Sequence, residues 1–344
     1  MPVDIGTVGI VTSGVIALAL GVTAVRMGRK LGIVAGARRI PALGGLAVMV
    51  AWWGGALVSG ALPSISALGL FLASVIIAIA GIRDSRRPLS PGMQFVFQTI
   101  SALVAIAIAG VTVRYVTNPF TAGVIALDWW YLLGYAIPGT LLALLWIVTL
   151  MNVMNFLDGM DGLAAGVGSV AFLAIGIVSV LPHVHDTNTA ILSFAAVAAL
   201  AGFLFWNLPP AGLYLGTVGS WFLGFLLAVL SISGASKVAT LAVVGAVPLL
   251  DAGTVILARL LRGQSPFRGD LTHLHHRLAR RGLSPRMILL LYVFSSLVLG
   301  LAAVLLQTQV KLFVFAVFAC LFVLLVLVGS RSVKSRIDRH TGAG

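Results

Sequence analysis

The stretch IGTVGIVTSGVIALALGVTAV, residues 5–25, contains no charged side chain. An α-helix rises 1.5 Å per residue, so roughly 20 apolar residues cross a hydrocarbon core of about 30 Å. A spanning segment must also satisfy its own backbone N–H and C=O groups, which a helix does. This run is too long for the apolar core of a cleavable secretory leader, and is expected to stay as a spanning helix. Ten more such runs follow, at about 41–61, 65–82, 93–113, 130–151, 163–181, 189–206, 217–234, 237–258, 287–306 and 311–329. The 344-residue chain is 60% hydrophobic and 9% charged, with a mean hydropathy of +1.12. That composition excludes a soluble globular domain. The predicted fold class is all-α: a single polytopic membrane helix bundle over 1–344, with about 11 transmembrane helices and a basic tail at about 330–344.

Charge orients the bundle, because cytoplasmic loops collect Lys and Arg. With the N-terminus outside, only Arg114, Lys237 and Lys311 of the 22 basic residues fall on the outer side, and the C-terminus is cytoplasmic. The net charge of +13 then reads as positive-inside bias rather than as a nucleic-acid signature. What is left over can attract anionic lipid headgroups or a phosphorylated substrate. All nine acidic residues are Asp, and the single cysteine, Cys320, lies in the last apolar run. An internal disulfide and a cysteine metal cluster are thereby excluded.

Polar residues at the inner ends of the spans mark where chemistry is to be sought. Asn152, Asn155, Asp158 and Asp161 recur every three residues. On a helix that spacing makes consecutive members neighbours and sweeps one side. Gly159 and Gly162 between them would let a ligand approach the backbone. The longest inner loop carries His273, His275 and His276 among Arg268, Arg277, Arg280 and Arg281. Such a donor-rich surface suits a pyrophosphate; the same histidine spacing is also a zinc pattern, although no Cys or Glu could complete the set. Asp84 sits among Arg83, Arg86 and Arg87. Trp206-Asn207 and Tyr214 to Ser220 place an amide, an aromatic ring and glycines at a helix start, a setting for base stacking and phosphate approach.

Together these segments, from Pro41 to about Ser284, resemble the polyprenyl-phosphate N-acetylhexosamine-1-phosphate transferase family, with the motifs in family order. The run Asn-x-x-Asn-x-x-Asp-Gly-x-Asp-Gly is highly specific. His273-Leu274-His275-His276 looks like the GlcNAc-type subgroup, which Asp251, Arg259 and Ser265-Pro266-Phe267 also fit. The resemblance implies transfer of a sugar 1-phosphate, most simply GlcNAc-1-phosphate, from a UDP-sugar to a membrane polyprenyl phosphate. UMP is released, and the product serves cell-envelope glycan synthesis. It also implies Mg²⁺ as cofactor and a multi-pass plasma-membrane location with the active face cytoplasmic. The implied partners are the UDP-sugar, the polyprenyl phosphate lipid and the membrane, with a homodimer as the one protein assembly considered and no nucleic acid.

Carried over by position, Asp84, Asp158, Asp161, His273, His275 and His276 are the implied catalytic set. Asn152, Asn155, Asn207, Tyr214, Arg259 and Asp270 are implied to bind substrate, and Asp158 and Asp161 to hold the metal. The chain departs from the family pattern at Ser85, Pro88, Gly92 and Leu271, and at Thr217, which occupies the usual position of a metal carboxylate. Loss of one such carboxylate is expected to cost on the order of 10²–10⁴ in rate. Three readings follow: an active transferase with an altered metal site first, a homologue that binds UDP-sugar or lipid phosphate without turnover second, and a transporter third. A transporter would gather its polar residues near the membrane midplane; here they gather at one face.

Overall fold

The computed structural model describes residues 4–36, 39–118, 121, 123–232, 235–261, 263, 273–307 and 309–323. Asp270, Arg268 and the basic tail lie outside the described residues. The architecture is all-α and polytopic. Helices α1 (Ile5–Lys30), α2 (Gly44–Ser59), α3 (Ser64–Arg86), α4 (Pro91–Ala109), α5 (Ile137–Leu157), α6 (Leu163–Val180) and α7 (Thr187–Asn207) are followed by α8 (Gly216–Ile232), α9 (Ala235–Val244), α10 (Ala246–Leu260), α11 (Leu274–Arg280), α12 (Pro285–Leu305) and α13 (Gln309–Val323). Seven of them (α1, α3, α4, α5, α6, α7 and α12) are long and apolar enough to cross a membrane. The pair Lys237–Val244 and Ala246–Leu260, bent by 74°, brings the number to eight if taken as one broken span. Every predicted run therefore contains helix, while α2, α8 and α13 are shorter than a full crossing.

Packing explains why α8 is short. It is buried from Val218 to Ile232 on all its faces, at the centre of the bundle against α2, α3, α5 and α9. A helix apolar all round and shielded by protein need not match the lipid thickness. Around it, α1 presents Gly6, Gly9, Ser13, Ala17, Gly21, Ala24 and Gly28 as a buried stripe of small residues to α2 and α7. Small side chains let helix backbones come close where the hydrophobic effect between helices is absent.

Among the described residues, three two-stranded antiparallel hairpins interrupt the helical pattern, pairing Val34–Ala35 with Ile40–Pro41, Tyr115–Thr117 with Val124–Ala126, and Tyr131–Leu132 with Tyr135–Ala136. The last corrects a predicted boundary: the span expected to start at 130 starts at Ile137. Leu133 and Gly134, with φ of 52° and 84°, turn the chain back, and Pro138 opens α5. Trp129, Trp130 and Tyr131 are exposed there, as aromatics at a membrane interface are, rather than inside a span.

Candidate active site

The first turn of α8 is the hub. A helix N-terminus offers unpaired N–H groups and the positive end of the helix dipole. The Gly216 amide hydrogen-bonds the Asp158 carboxyl. One residue on, Thr217 Oγ1 donates to Asp84 Oδ2 at 2.6 Å, and one turn on, Ser220 Oγ donates to Asn155 Oδ1 at 3.0 Å. Asp84 Oδ1 accepts from the Leu89 amide at 2.8 Å and from Gln94 Nε2 at 3.0 Å. Three donors therefore fix Asp84 as the tie between the α3–α4 corner and α8. Thr217, expected from the resemblance to occupy a metal-carboxylate position, is engaged in that tie.

The four polar residues in threefold step do not continue as one helical face. α5 stops at Leu157 with Asp158 as its C-cap, so Asn152 and Asn155 are helical and the two aspartates are not. Each meets a different neighbour. Asn152 Nδ2 donates to Gln98 Oε1 at 2.7 Å and to the Val148 carbonyl at 2.8 Å, making an amide pair between α4 and α5. Asp161 Oδ2 accepts the Ala211 amide at 2.9 Å. Gly162 N–H donates to Asn207 Oδ1 at 3.0 Å, and Asn207 Nδ2 donates to the Leu213 carbonyl at 2.9 Å. Buried Asn207 thus bolts the aspartate loop to the 208–213 turn. Tyr214 is half-buried with its ring against Gly36, its amide bonded to the Pro41 carbonyl and its carbonyl to the Gly44 amide.

The Asp158 residue is partly accessible, but its carboxyl is enclosed. Burial above all, with the Asp161 charge adding to it, pushes this carboxyl up to about 8 against the pull of the Gly216 amide. Two carboxyls in this relation leave a site short of positive charge.

The histidines reach this loop from the other side. Asp251 of α10 accepts the Leu274 amide at 2.8 Å, and its Oδ2 lies 3.0 Å from His273 Nδ1, so one buried carboxylate both starts α11 and orients the first histidine. His273 stacks on Phe156 at a centroid distance of 4.8 Å. His275 and His276 sit at 4.2 Å from each other, and both face Gly159. A Cβ at Gly159 would lie 3.1 Å from His275 Nε2, so a side chain there would press on the ring. His275 is 1% exposed and neither ring nitrogen has a hydrogen-bond partner among the described residues. Arg259 is buried in the last turn of α10.

Burial first, then the neighbouring His276, pushes the His275 imidazole down to about 4. The folded value lies below the unfolded value of about 6.5, so its stabilising share is complete above that pH and is lost as pH falls towards 4. Acidification from pH 7 to 4.5 is expected to cost up to roughly 2–3 kcal/mol. Melting temperatures of the detergent-solubilised protein across this range should fall more steeply for wild type than for His275→Phe. Parallel curves would remove His275 from the explanation.

Gln98 and Gln94, which the sequence reading did not single out, complete the site with Ser220 and Phe156. The signal available was two amides four residues apart in an otherwise apolar span. The described residues thus bring Asp84, Asn155, Asp158, Asp161, Asn207, Thr217, His273, His275 and His276 to one end of the bundle, while Asn152 faces Gln98.

Residues 67–235 match the family model described as glycosyl transferase family 4. The chain is 30% identical over 295 residues to the probable undecaprenyl-phosphate N-acetylglucosaminyl 1-phosphate transferase of Bacillus subtilis, covering 84% of this chain and 78% of that one. It is 33% identical to an undecaprenyl-phosphate alpha-N-acetylglucosaminyl 1-phosphate transferase of Haemophilus influenzae, with 67% and 65% covered. It is 29% identical to a decaprenyl-phosphate N-acetylglucosaminephosphotransferase of Mycobacterium leprae, with 75% and 71% covered.

Proposed function

The chain belongs to the polyprenyl-phosphate N-acetylhexosamine-1-phosphate transferase family, and on that premise we propose that it moves GlcNAc-1-phosphate from a UDP-sugar to a polyprenyl phosphate and releases UMP. An oxygen of the lipid phosphate attacks the sugar-bearing phosphorus. The bond from that phosphorus to the bridging oxygen breaks, and UMP leaves with the electron pair. The lipid phosphate is already an anion, so no base has to take a proton from it. The protein's work is positioning and charge stabilisation.

The observation that carries this reading is the junction at Asp158 to Asp161: the loop is held by the α8 N-terminus on one side and abuts His275 and His276 at Gly159 on the other. Carboxylates for a cation and imidazoles for phosphate oxygens therefore meet in one place. His275, neutral near pH 7 and with neither nitrogen engaged among the described residues, can donate a hydrogen bond to a phosphate oxygen. Asp84 and Asn207, with their hydrogen bonds committed to neighbouring elements, act as positioning residues.

Mg²⁺ fits this donor set. It is commonly held by one or two carboxylates together with substrate phosphates. Asp158 and Asp161 form such a pair, and a divalent cation would favour the ionised form of the enclosed Asp158 carboxyl. When bound, Mg²⁺ would neutralise charge on the pyrophosphate oxygens. We place the reaction on the cytoplasmic face of the plasma membrane, because the site elements lie at the end of the bundle that carries the basic loops.

The test is UMP release from UDP-GlcNAc by the purified protein with a polyprenyl phosphate, across a Mg²⁺ titration. Wild type is expected to require Mg²⁺ but to bind it weakly. Thr217→Asp, which adds a carboxylate beside Asp84, should lower the Mg²⁺ concentration for half-maximal rate about tenfold. Absence of UMP release from both proteins, each shown to be monodisperse, would overturn the proposal.

A further inference from the structure

The arginines around the histidines do not all face the reacting loop. Leu274, Arg277, Leu278 and Arg281 line a groove of about 400 Å³ that is closed by Val247 of α10, Leu291 and Ser295 of α12, and Phe318 and Phe322 of α13. Their spacing of three, four and seven residues puts them on one stripe of α11. His275 and His276 lie on the opposite side of the same turn, against Gly159. Arg277 is half-buried and Arg281 exposed, and neither has an acidic partner among the described residues. The remaining lining is almost wholly apolar, and the volume is that of a small-molecule site.

We propose that this groove binds one anionic membrane phospholipid, its phosphate between Arg277 and Arg281 and an acyl chain against Leu291, Phe318 and Phe322. The guanidiniums supply phosphate recognition and the aromatic and aliphatic walls supply the affinity for a chain, a pairing that a soluble phosphate would use only in part. The chain's own C-terminal segment has the wrong charge for the place, with Arg331, Lys334, Arg336 and Arg339 against a single Asp338. A polyprenyl phosphate held here would have α11 between its phosphate and the aspartate loop, so it could not react from this position. The lipid instead braces α11 from behind, and with it the histidines.

The experiment uses the full chain in nanodiscs of phosphatidylglycerol, phosphatidylcholine and decaprenyl phosphate. After transfer to detergent, co-purifying lipid is quantified by mass spectrometry. Two arginines near a headgroup predict a preference of about tenfold for phosphatidylglycerol over phosphatidylcholine in wild type. The double variant Arg277→Ala/Arg281→Ala should bring that ratio close to one. Ser295→Trp, which fills the groove and leaves both charges, should lower retention of phosphatidylglycerol as well and decides the matter if the double variant does not fold. Equal retention of the two phospholipids by wild type, unchanged retention in the folded variants, or loss of decaprenyl phosphate instead of phosphatidylglycerol in those variants would each overturn the proposal. None of these readings depends on the reaction proposed above.

Discussion

Asp158→Asn and Asp161→Asn are each expected to lower UMP release by about 10³-fold while the protein remains folded. Both substitutions keep an oxygen in place: the new amide at position 158 can still accept from Gly216, and the one at position 161 from the Ala211 amide. In the ligand-free protein the enclosed Asp158 carboxyl, pushed up to about 8, is already mostly neutral at pH 7, so the amide is close to it in charge as well as shape. What each variant loses is the capacity to become a carboxylate beside its partner when a cation and a pyrophosphate arrive. Removal of one such charge from a water-poor site costs on the order of 3–4 kcal/mol at the transition state. The measurement is UMP release at saturating UDP-GlcNAc, with a thermal-shift titration of the same nucleotide sugar as the binding readout. Unchanged rates in both variants would take the pair out of the site.

Gly45→Ala is expected to leave little folded protein. A Cβ at Gly45 would lie 2.1 Å from the Gly219 nitrogen and 2.2 Å from its Cα, and both contacts are backbone. No rotamer change relieves a clash of backbone with backbone, so α2 must move off α8 or α8 must shift along it. Overpacking of this kind costs more than the usual 1–3 kcal/mol for an added methylene. The same contact places the Gly45 N–H on the Leu215 carbonyl at 2.8 Å, next to Gly216 and Thr217. Damage therefore reaches the hub directly. Size-exclusion profiles in detergent should show aggregate for Gly45→Ala and a single peak for Gly92→Ala, whose new methyl would meet nothing within 4 Å. A monodisperse Gly45→Ala protein would show that the two helices are not in this contact.

Much of the bundle was legible because hydrocarbon selects long apolar runs regardless of what they pack against. The same indifference hid the rest. A window over Leu-Ala-Val residues cannot tell α8, buried on every side, from α12, which shows Leu290, Phe294 and Leu301 to its surroundings. The hairpin at 131–136 was read as the start of a span because Trp, Tyr and Leu count as apolar, whereas the backbone turns at Leu133 and Gly134 decide the structure. At the site, residue types and their order pointed to the convergence of aspartates and histidines. Their pairings were not legible, since each is made by a residue distant in sequence: Thr217 with Asp84, Asn207 with Gly162, Gln98 with Asn152. The threefold step of Asn and Asp looked helical throughout because the pattern carries no sign that α5 ends at Leu157.

In the orientation proposed above, the three basic residues of the outer side bear on how the bundle behaves in an electric field. Lys237 is 1% exposed and paired with Asp186, and Lys311 is 3% exposed with its Nζ 3.0 Å from Thr240 Oγ1. Of the three, only Arg114 presents a cation at the surface. In that orientation Asp4, Asp128 and Asp186 offset the three outer cations, so the molecule is cationic at the site end and nearly neutral at the other. Carrying one elementary charge across a potential of 100 mV costs about 2.3 kcal/mol. In a membrane held negative inside, each arginine of the inner loops adds that amount to the work of inverting the protein. In that orientation such a potential opposes inversion of the bundle and acts to keep the aspartate loop on the inner side.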